Sequence, residues 1–130
     1  MSVPGELYYT PEHEWVAISG SMASVGITDH AQRALGDVVF VSAPAAGTRV
    51  VSGEPCGEVE STKSVSDLYS PVDGEVTEVN AEIEDDPGLV NSDPYGAGWL
   101  FKVQLDETGA ELPPGLLSPA EYAALTKEEE

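Results

Sequence analysis

Thirteen glycines and ten prolines among 130 residues leave no room for long helices. They cut the chain into short runs of β-branched and aromatic residues. Trp15 and Ala17, then Val25 and Ile27, fall in two alternating runs around Ser19-Gly20-Ser21, which predicts a hairpin. Residues 38–41 form a β-branched run suited to a buried strand, and 48–51, 57–60, 65–69, 75–79 and 100–105 complete the β inventory. Residues 29–35 read as a short helix, with Asp29 as cap, Gln32 at the capping-box position and Gly36 as the stop. Ser118-Pro119-Ala120-Glu121 is a second helix start, with Ser as cap, Pro in the first turn and Glu three residues after the cap. That helix is expected over about 119–127, burying Tyr122 and Leu125, with residues 128–130 as a frayed end.

A five-residue repeat gives the strands an arrangement. Cys56-Gly57-Glu58-Val59-Glu60 recurs as Asp73-Gly74-Glu75-Val76-Thr77, with Ser61-Thr62-Lys63-Ser64 between the copies. Two similar strand-turn units packed face to face give a flattened sandwich of two antiparallel sheets, with the intervening turn at one end. Lys63 therefore stands at a turn tip among small residues. The other two lysines are less remarkable: Lys102 alternates with Phe101 and Val103 as an outward strand residue, and Lys127 belongs to the charged tail. A turn tip on a rigid scaffold is where function concentrates, although most surface lysines are simply solvated.

Charge narrows the function. Five Lys and Arg against 24 Asp and Glu give a net −19. Nothing here neutralises a run of phosphates or an anionic membrane. Such a chain is expected to remain monomeric by self-repulsion and to meet partners through basic patches on their side, although a salty cytoplasm would select the same balance. A lone cysteine, Cys56, excludes an internal disulfide and a Cys-based metal site. No apolar stretch approaches the ~20 residues of a membrane span. The N-terminal Met1-Ser2-Val3-Pro4-Gly5-Glu6 has no leader pattern, so the expected location is the cytoplasm, or a mitochondrial matrix if a transit peptide has been removed.

The string from Gly57 to Val76, with Glu60-Ser61-Thr62-Lys63-Ser64 at its centre, resembles the lipoyl-attachment hairpin of the glycine cleavage system H proteins. Pro11-Glu12-His13-Glu14-Trp15-Val16, Val25-Gly26-Ile27-Thr28-Asp29-His30-Ala31-Gln32, Leu35-Gly36-Asp37-Val38-Val39-Phe40-Val41 and Leu89-Val90-Asn91-Ser92-Asp93-Pro94-Tyr95-Gly96 resemble that family in the same order. The likeness runs from about Tyr8 to Leu125, departing chiefly at Thr62 and Ser64.

The resemblance implies a single carrier domain over 1–130, mainly β and of the lipoyl/biotinyl barrel-sandwich type, with the lipoyl hairpin at about 53–79. It implies lipoic acid bound covalently to Lys63, and a carrier rather than an enzyme. The aminomethyl group would pass from glycine decarboxylase (P protein) to the aminomethyltransferase (T protein). The dithiol would be reoxidised by dihydrolipoyl dehydrogenase (L protein), and lipoate-attachment enzymes would load the lysine. A cleft for the loaded arm needs carboxylates to hold its ammonium, and Glu14 and Asp67 are the candidates, with ordinary solvated carboxylates as the alternative.

Other functions remain open on residue grounds. A carrier donating lipoyl groups to other complexes would share this hairpin, whereas biotinyl domains typically flank the lysine with methionine. A Cys56/His13 nucleophile pair has no oxyanion-type motif beside it. A plain acidic binding module would bear no modification. His13 and His30 show no metal spacing and are expected to make structural hydrogen bonds, while Trp15 and Trp99 are expected to fill the core. Gly96-Ala97-Gly98 lacks the strand-to-helix context of a phosphate loop, and 91–95 reads as a structural turn.

Overall fold

The computed structural model describes residue 5, residues 7–105 and residues 116–129. In chain order the elements are β1 (Tyr8–Tyr9), β2 (Glu14–Ser19), β3 (Met22–Ile27), α1 (Asp29–Leu35), β4 (Val38–Ser42), β5 (Arg49–Val50), β6 (Pro55–Ser61), β7 (Val65–Tyr69) and β8 (Gly74–Val79). They are followed by α2 (Ala81–Asp85), α3 (Leu89–Ser92), β9 (Phe101–Leu105) and α4 (Pro119–Glu129). The strands form two antiparallel sheets, one ordered β1-β2-β3-β9-β8-β5 and one ordered β4-β6-β7, as the sequence predicts for a sandwich. No helix among the described residues is long and apolar enough to cross a membrane.

Strand alternation drives the sandwich together. Val16, Val25, Val76 and Val103 from the larger sheet and Val41, Val59 and Leu68 from the smaller one are buried in one apolar cluster. The β2–β3 hairpin turns at Ser19-Gly20-Ser21-Met22, with Gly20 at φ +63. The five-residue repeat has a structural meaning, although its copies sit in different sheets. A Cβ on Gly57 would strike the Ser42 carbonyl of β4, and one on Gly74 would strike the Gln104 carbonyl of β9. Each copy is thus glycine followed two residues later by a buried valine, because a neighbouring strand crosses too close for a side chain. Gly74–Val79, grouped with the lysine hairpin in the sequence, pairs with β9 in the larger sheet, and the hairpin proper is β6 and β7.

Several boundaries differ from expectation for identifiable reasons. Thr28, not Asp29, caps α1: its Oγ1 accepts from the Ala31 amide, while Asp29 Oδ1 accepts from Gln32 Nε2 and its Oδ2 pairs with Arg33. The residue three positions after this cap is Ala31, so no capping box forms. Gly36 ends the helix at φ +81, as predicted. In β4, Val38 and Val41 are buried but Val39 and Phe40 are exposed. The register shifts between Val38 and Phe40, which inserts one residue and turns two successive side chains outward. α2 and α3 were not predicted: Ile83 and Val90 are their buried residues, too few for an apolar stripe.

The C-terminal helix begins as the sequence predicts. The Ser118 amide donates to Glu121 Oε1 and the Glu121 amide donates to Ser118 Oγ, a reciprocal box that holds the Glu121 carboxyl below its usual value. Helical backbone continues to Glu129, beyond the expected end at 127, while Glu130 lies outside the described residues. Tyr122 is fully buried and Leu125 half-buried. The Tyr122 ring stacks on Tyr9 at 4.6 Å, and its hydroxyl lies 2.7 Å from Thr28 Oγ1 and 2.8 Å from His13 Nδ1. One phenol thus joins α4, the start of α1 and the β1–β2 turn. Tyr122→Phe is expected to lower the unfolding free energy by about 1–3 kcal/mol in a denaturant titration, with the far-UV spectrum of the folded state unchanged.

Candidate functional site

The Lys63 turn is built from its serines. Ser61 Oγ accepts from the amides of Lys63 (3.2 Å) and Ser64 (3.1 Å) and donates to the Ser64 carbonyl, while the Ser61 amide donates to that same carbonyl at 2.8 Å. This side-chain-to-backbone ring fixes the turn without a glycine. The Thr62 amide then donates to the Asp37 carbonyl at 3.0 Å, tying the tip to the link between α1 and β4. Lys63 itself is exposed, and its Nζ donates to the Ala34 carbonyl in the last turn of α1 at 3.2 Å. That carbonyl end is where a helix welcomes a cation. The lysine stem passes over Gly36, where a Cβ would sit 3.1 Å from Lys63 Cδ. The amine is therefore held by a neutral acceptor on a rigid tip, open to solvent.

The α1–β4 corner owes its shape to Asn91, for which the sequence suggested only a turn. Its Nδ2 donates to the Gly36 carbonyl (2.8 Å) and to Gln32 Oε1 (3.0 Å), and its Oδ1 accepts from the Val38 amide (2.9 Å). Asn91 thus anchors the segment on which both the Thr62 amide and the Lys63 amine rest. The family-like string around Asn91 was visible in the sequence, but its partners lie more than fifty residues away.

A groove of about 230 Å³ runs from this tip between α1 and β7. Ala34 and Ser64 line it near the lysine, Leu35, Val59 and Leu68 form its apolar floor, and Glu14 and Asp67 both contribute to its wall. The two carboxylates named from the sequence are brought together here, but in different settings. Asp67 is exposed on β7. Glu14 is 2% exposed at the start of β2, placed there by a turn in which His13 adopts φ +68. Its Oε1 accepts from Thr10 Oγ1 at 2.9 Å and its Oε2 from the Tyr69 amide at 3.1 Å. Burial raises the Glu14 pKa from 4.5 to about 8, against the opposing pull of those two hydrogen bonds, with the Glu12 charge adding to the rise.

The alternative chemistries fare differently. Cys56 is half-buried, and burial pushes its thiol up to about 12, which suppresses the thiolate a nucleophile needs. His13 is engaged with Tyr122, the structural role expected of it, and its ring lies 4.5 Å from that of His30. Among the described residues no group of three His, Cys, Asp or Glu side chains is arranged to hold a metal ion. Trp15 is buried with its Nε1 donating to the Pro94 carbonyl, and Trp99 is half-buried beneath the Lys102 ammonium at 4.9 Å.

The Glu14 environment makes a pH prediction. Between its unfolded value of 4.5 and its folded value of about 8 the native chain holds a proton that the unfolded chain releases. Stability from this group is therefore full in acid and declines as pH rises through that window. Glu14→Gln is expected to flatten the decline, by on the order of a few kcal/mol between about pH 5 and pH 8, in urea titrations across that range. A wild-type slope that persists in the variant would exclude this assignment.

The sequence profile of the family described as Glycine cleavage H-protein matches residues 7–129. The glycine cleavage system H protein of Thermobifida fusca (strain YX) is 60% identical over 129 residues, with 99% of each chain covered. That of Rubrobacter xylanophilus is 59% identical over 128 residues, with 98% of each chain covered. The crystal structure of a glycine cleavage system H protein from Mycobacterium marinum superposes with a TM-score of 0.87 at 46% identity, covering 96% of this chain and 99% of that one. A family profile matched over residues 7–129 and a solved member superposing at a TM-score of 0.87 leave one assignment: the chain belongs to the glycine cleavage H-protein family.

Proposed function

We propose that this chain is the lipoyl carrier of a glycine cleavage system, with lipoic acid joined through an amide to Lys63. The observation that supports this most is the placement of an exposed amine on a stiff turn at the mouth of a groove whose wall holds Glu14 and Asp67. The residues fit such an arm. About eleven bonds separate the lysine α-carbon from a lipoyl ring, a reach of ~14 Å. Asp67 stands two residues into β7, about 7 Å beyond its start at Val65, so an arm of this reach laid back along β7 extends to it. Acylation removes the lysine charge, taking the formal total from −19 to −20.

The dithiolane supplies the acceptor and redox chemistry, and the protein supplies position and exclusion of water. The apolar floor of Leu35, Val59 and Leu68 keeps water from the end of the arm. Glu14 and Asp67 hold the ammonium of the aminomethyl group. An entering cation favours the ionised form of Glu14, so seating the loaded arm releases a proton from that buried carboxyl. Asp67, at the solvent edge, guides the ammonium in without the cost of burial.

In this role the chain is a carrier and not a catalyst. Its partners are glycine decarboxylase, the aminomethyltransferase, dihydrolipoyl dehydrogenase and the enzymes that attach lipoate, and the cycle runs in the cytoplasm. The acidic surface steers basic partners toward it, with a salt dependence set by screening over ~8 Å. Intact-mass analysis of protein made beside its own lipoylation machinery is expected to show one lipoyl adduct on wild type and none on Lys63→Arg. Glu14→Ala and Asp67→Asn are expected to shorten the lifetime of the loaded arm by about tenfold and a few-fold respectively. Unchanged lifetimes would remove both residues from this role.

A further inference from the structure

A second hollow, of about 310 Å³, lies between β4 and α2, lined by Phe40, Val41, Ala43, Ile83 and Pro87 among others. It shares no lining residue with the Glu14 groove, and the two flank opposite edges of the three-stranded sheet, β4 on one side and β7 on the other. Its outer wall is Phe40, 57% exposed, beside Val39, 47% exposed. The shift in register within β4 turns both outward on an edge strand, where an apolar pair invites association. The rim is acidic: Glu84 lines the hollow, and Glu82, Asp85 and Asp86 are exposed on and just after α2. An apolar centre with carboxylates along its α2 side is complementary to an apolar side chain flanked by lysines and arginines. A second copy of this chain, itself at −19, is repelled from it.

Position relative to Lys63 narrows the occupant. Phe40 pairs with Glu60, three residues before the lysine, about 10 Å along the strand. A footprint of roughly 800 Å² per partner extends roughly 16 Å from its centre, so a protein seated on Phe40 also covers the turn. Enzymes that use a finished arm can stand off by its ~14 Å reach. The enzyme that makes the amide must bring its active site to Nζ itself. Resting on the carrier function above, we propose that the Phe40 hollow is the docking site of the enzyme that acylates Lys63, entered by an apolar side chain of that enzyme with basic residues around the acidic rim. In the step it serves, the neutral Lys63 amine attacks the acyl carbon of a lipoyl adenylate. The C–N bond forms, AMP departs with the electron pair of the broken C–O bond, and the nitrogen loses one proton to water.

The test is steady-state acylation of the full unmodified chain by a purified lipoate-attachment enzyme supplied with lipoate and ATP, followed by intact mass. Phe40→Ser and Glu84→Lys are each expected to raise the KM for the chain about tenfold with kcat unchanged, and Phe40→Leu to restore most of the loss. Val51→Ser, an exposed apolar position outside the hollow, is expected to change neither. Equal melting temperatures establish that the variants fold. An unchanged KM for Phe40→Ser, with wild type fully acylated, overturns the docking site and leaves the carrier function standing. A wild-type chain that takes up no adduct overturns the carrier function and the docking site together. Self-association of wild type in sedimentation, lost in Phe40→Ser, would assign the hollow to a second copy and also overturn the proposal.

Discussion

The side chain of Asn91 is the constraint on which the working end of the molecule depends. One carboxamide, donating from Nδ2 to the Gly36 carbonyl and the Gln32 side chain and accepting at Oδ1 from the Val38 amide, welds the end of α1 to the start of β4. A helix end leaves carbonyls without partners and an incoming strand leaves amides without them, so one carboxamide with both donor and acceptor closes both gaps. With that corner fixed, the Asp37 carbonyl is placed to receive the Thr62 amide and the Ala34 carbonyl to receive the Lys63 amine. The support beneath the tip therefore comes in part from a residue on α3, distant in sequence from both.

Burying Glu14 is costly, because a carboxylate removed from water is destabilised unless it is neutralised or well paired. The chain takes the first course only in part. Two hydrogen bonds, from Thr10 and Tyr69, orient the group, and neither partner brings a charge. The acid is left neutral near the middle of the physiological range, and any cation placed beside it would favour its ionised form. A fold that needed Glu14 only for stability would have an apolar residue there. The buried Glu14 carboxyl borders an open groove.

The three-stranded sheet borders two separate hollows. Its β7 edge borders the groove that fits an arm, and its β4 edge borders the hollow around Phe40. The lysine stands at the β6–β7 turn, within a short span of both.

Much of this was legible in one dimension. Period-two valines fixed the strands, Gly20 and Gly36 marked a turn and a stop, and Ser118 with Glu121 announced the last helix, because each signal is local and its partner lies within four residues. The isolation of Lys63 at a turn tip, and its surroundings of family-like motifs, were equally readable. What the chain order could not express was which distant groups meet. The cap moved to Thr28 because Asp29 is occupied by Gln32 and Arg33. Val39 and Phe40 faced outward because of a one-residue register shift against β6. Glu14 and Asp67 looked alike among 24 acids, and only tertiary packing buried one and exposed the other. Sequence determined the elements and the exposed lysine at the turn, since propensity and pattern act over a few residues. Tertiary structure decided the groove, the protonation of Glu14 and the corner held by Asn91, since burial and hydrogen bonding across more than fifty residues exist only once the sheets have closed.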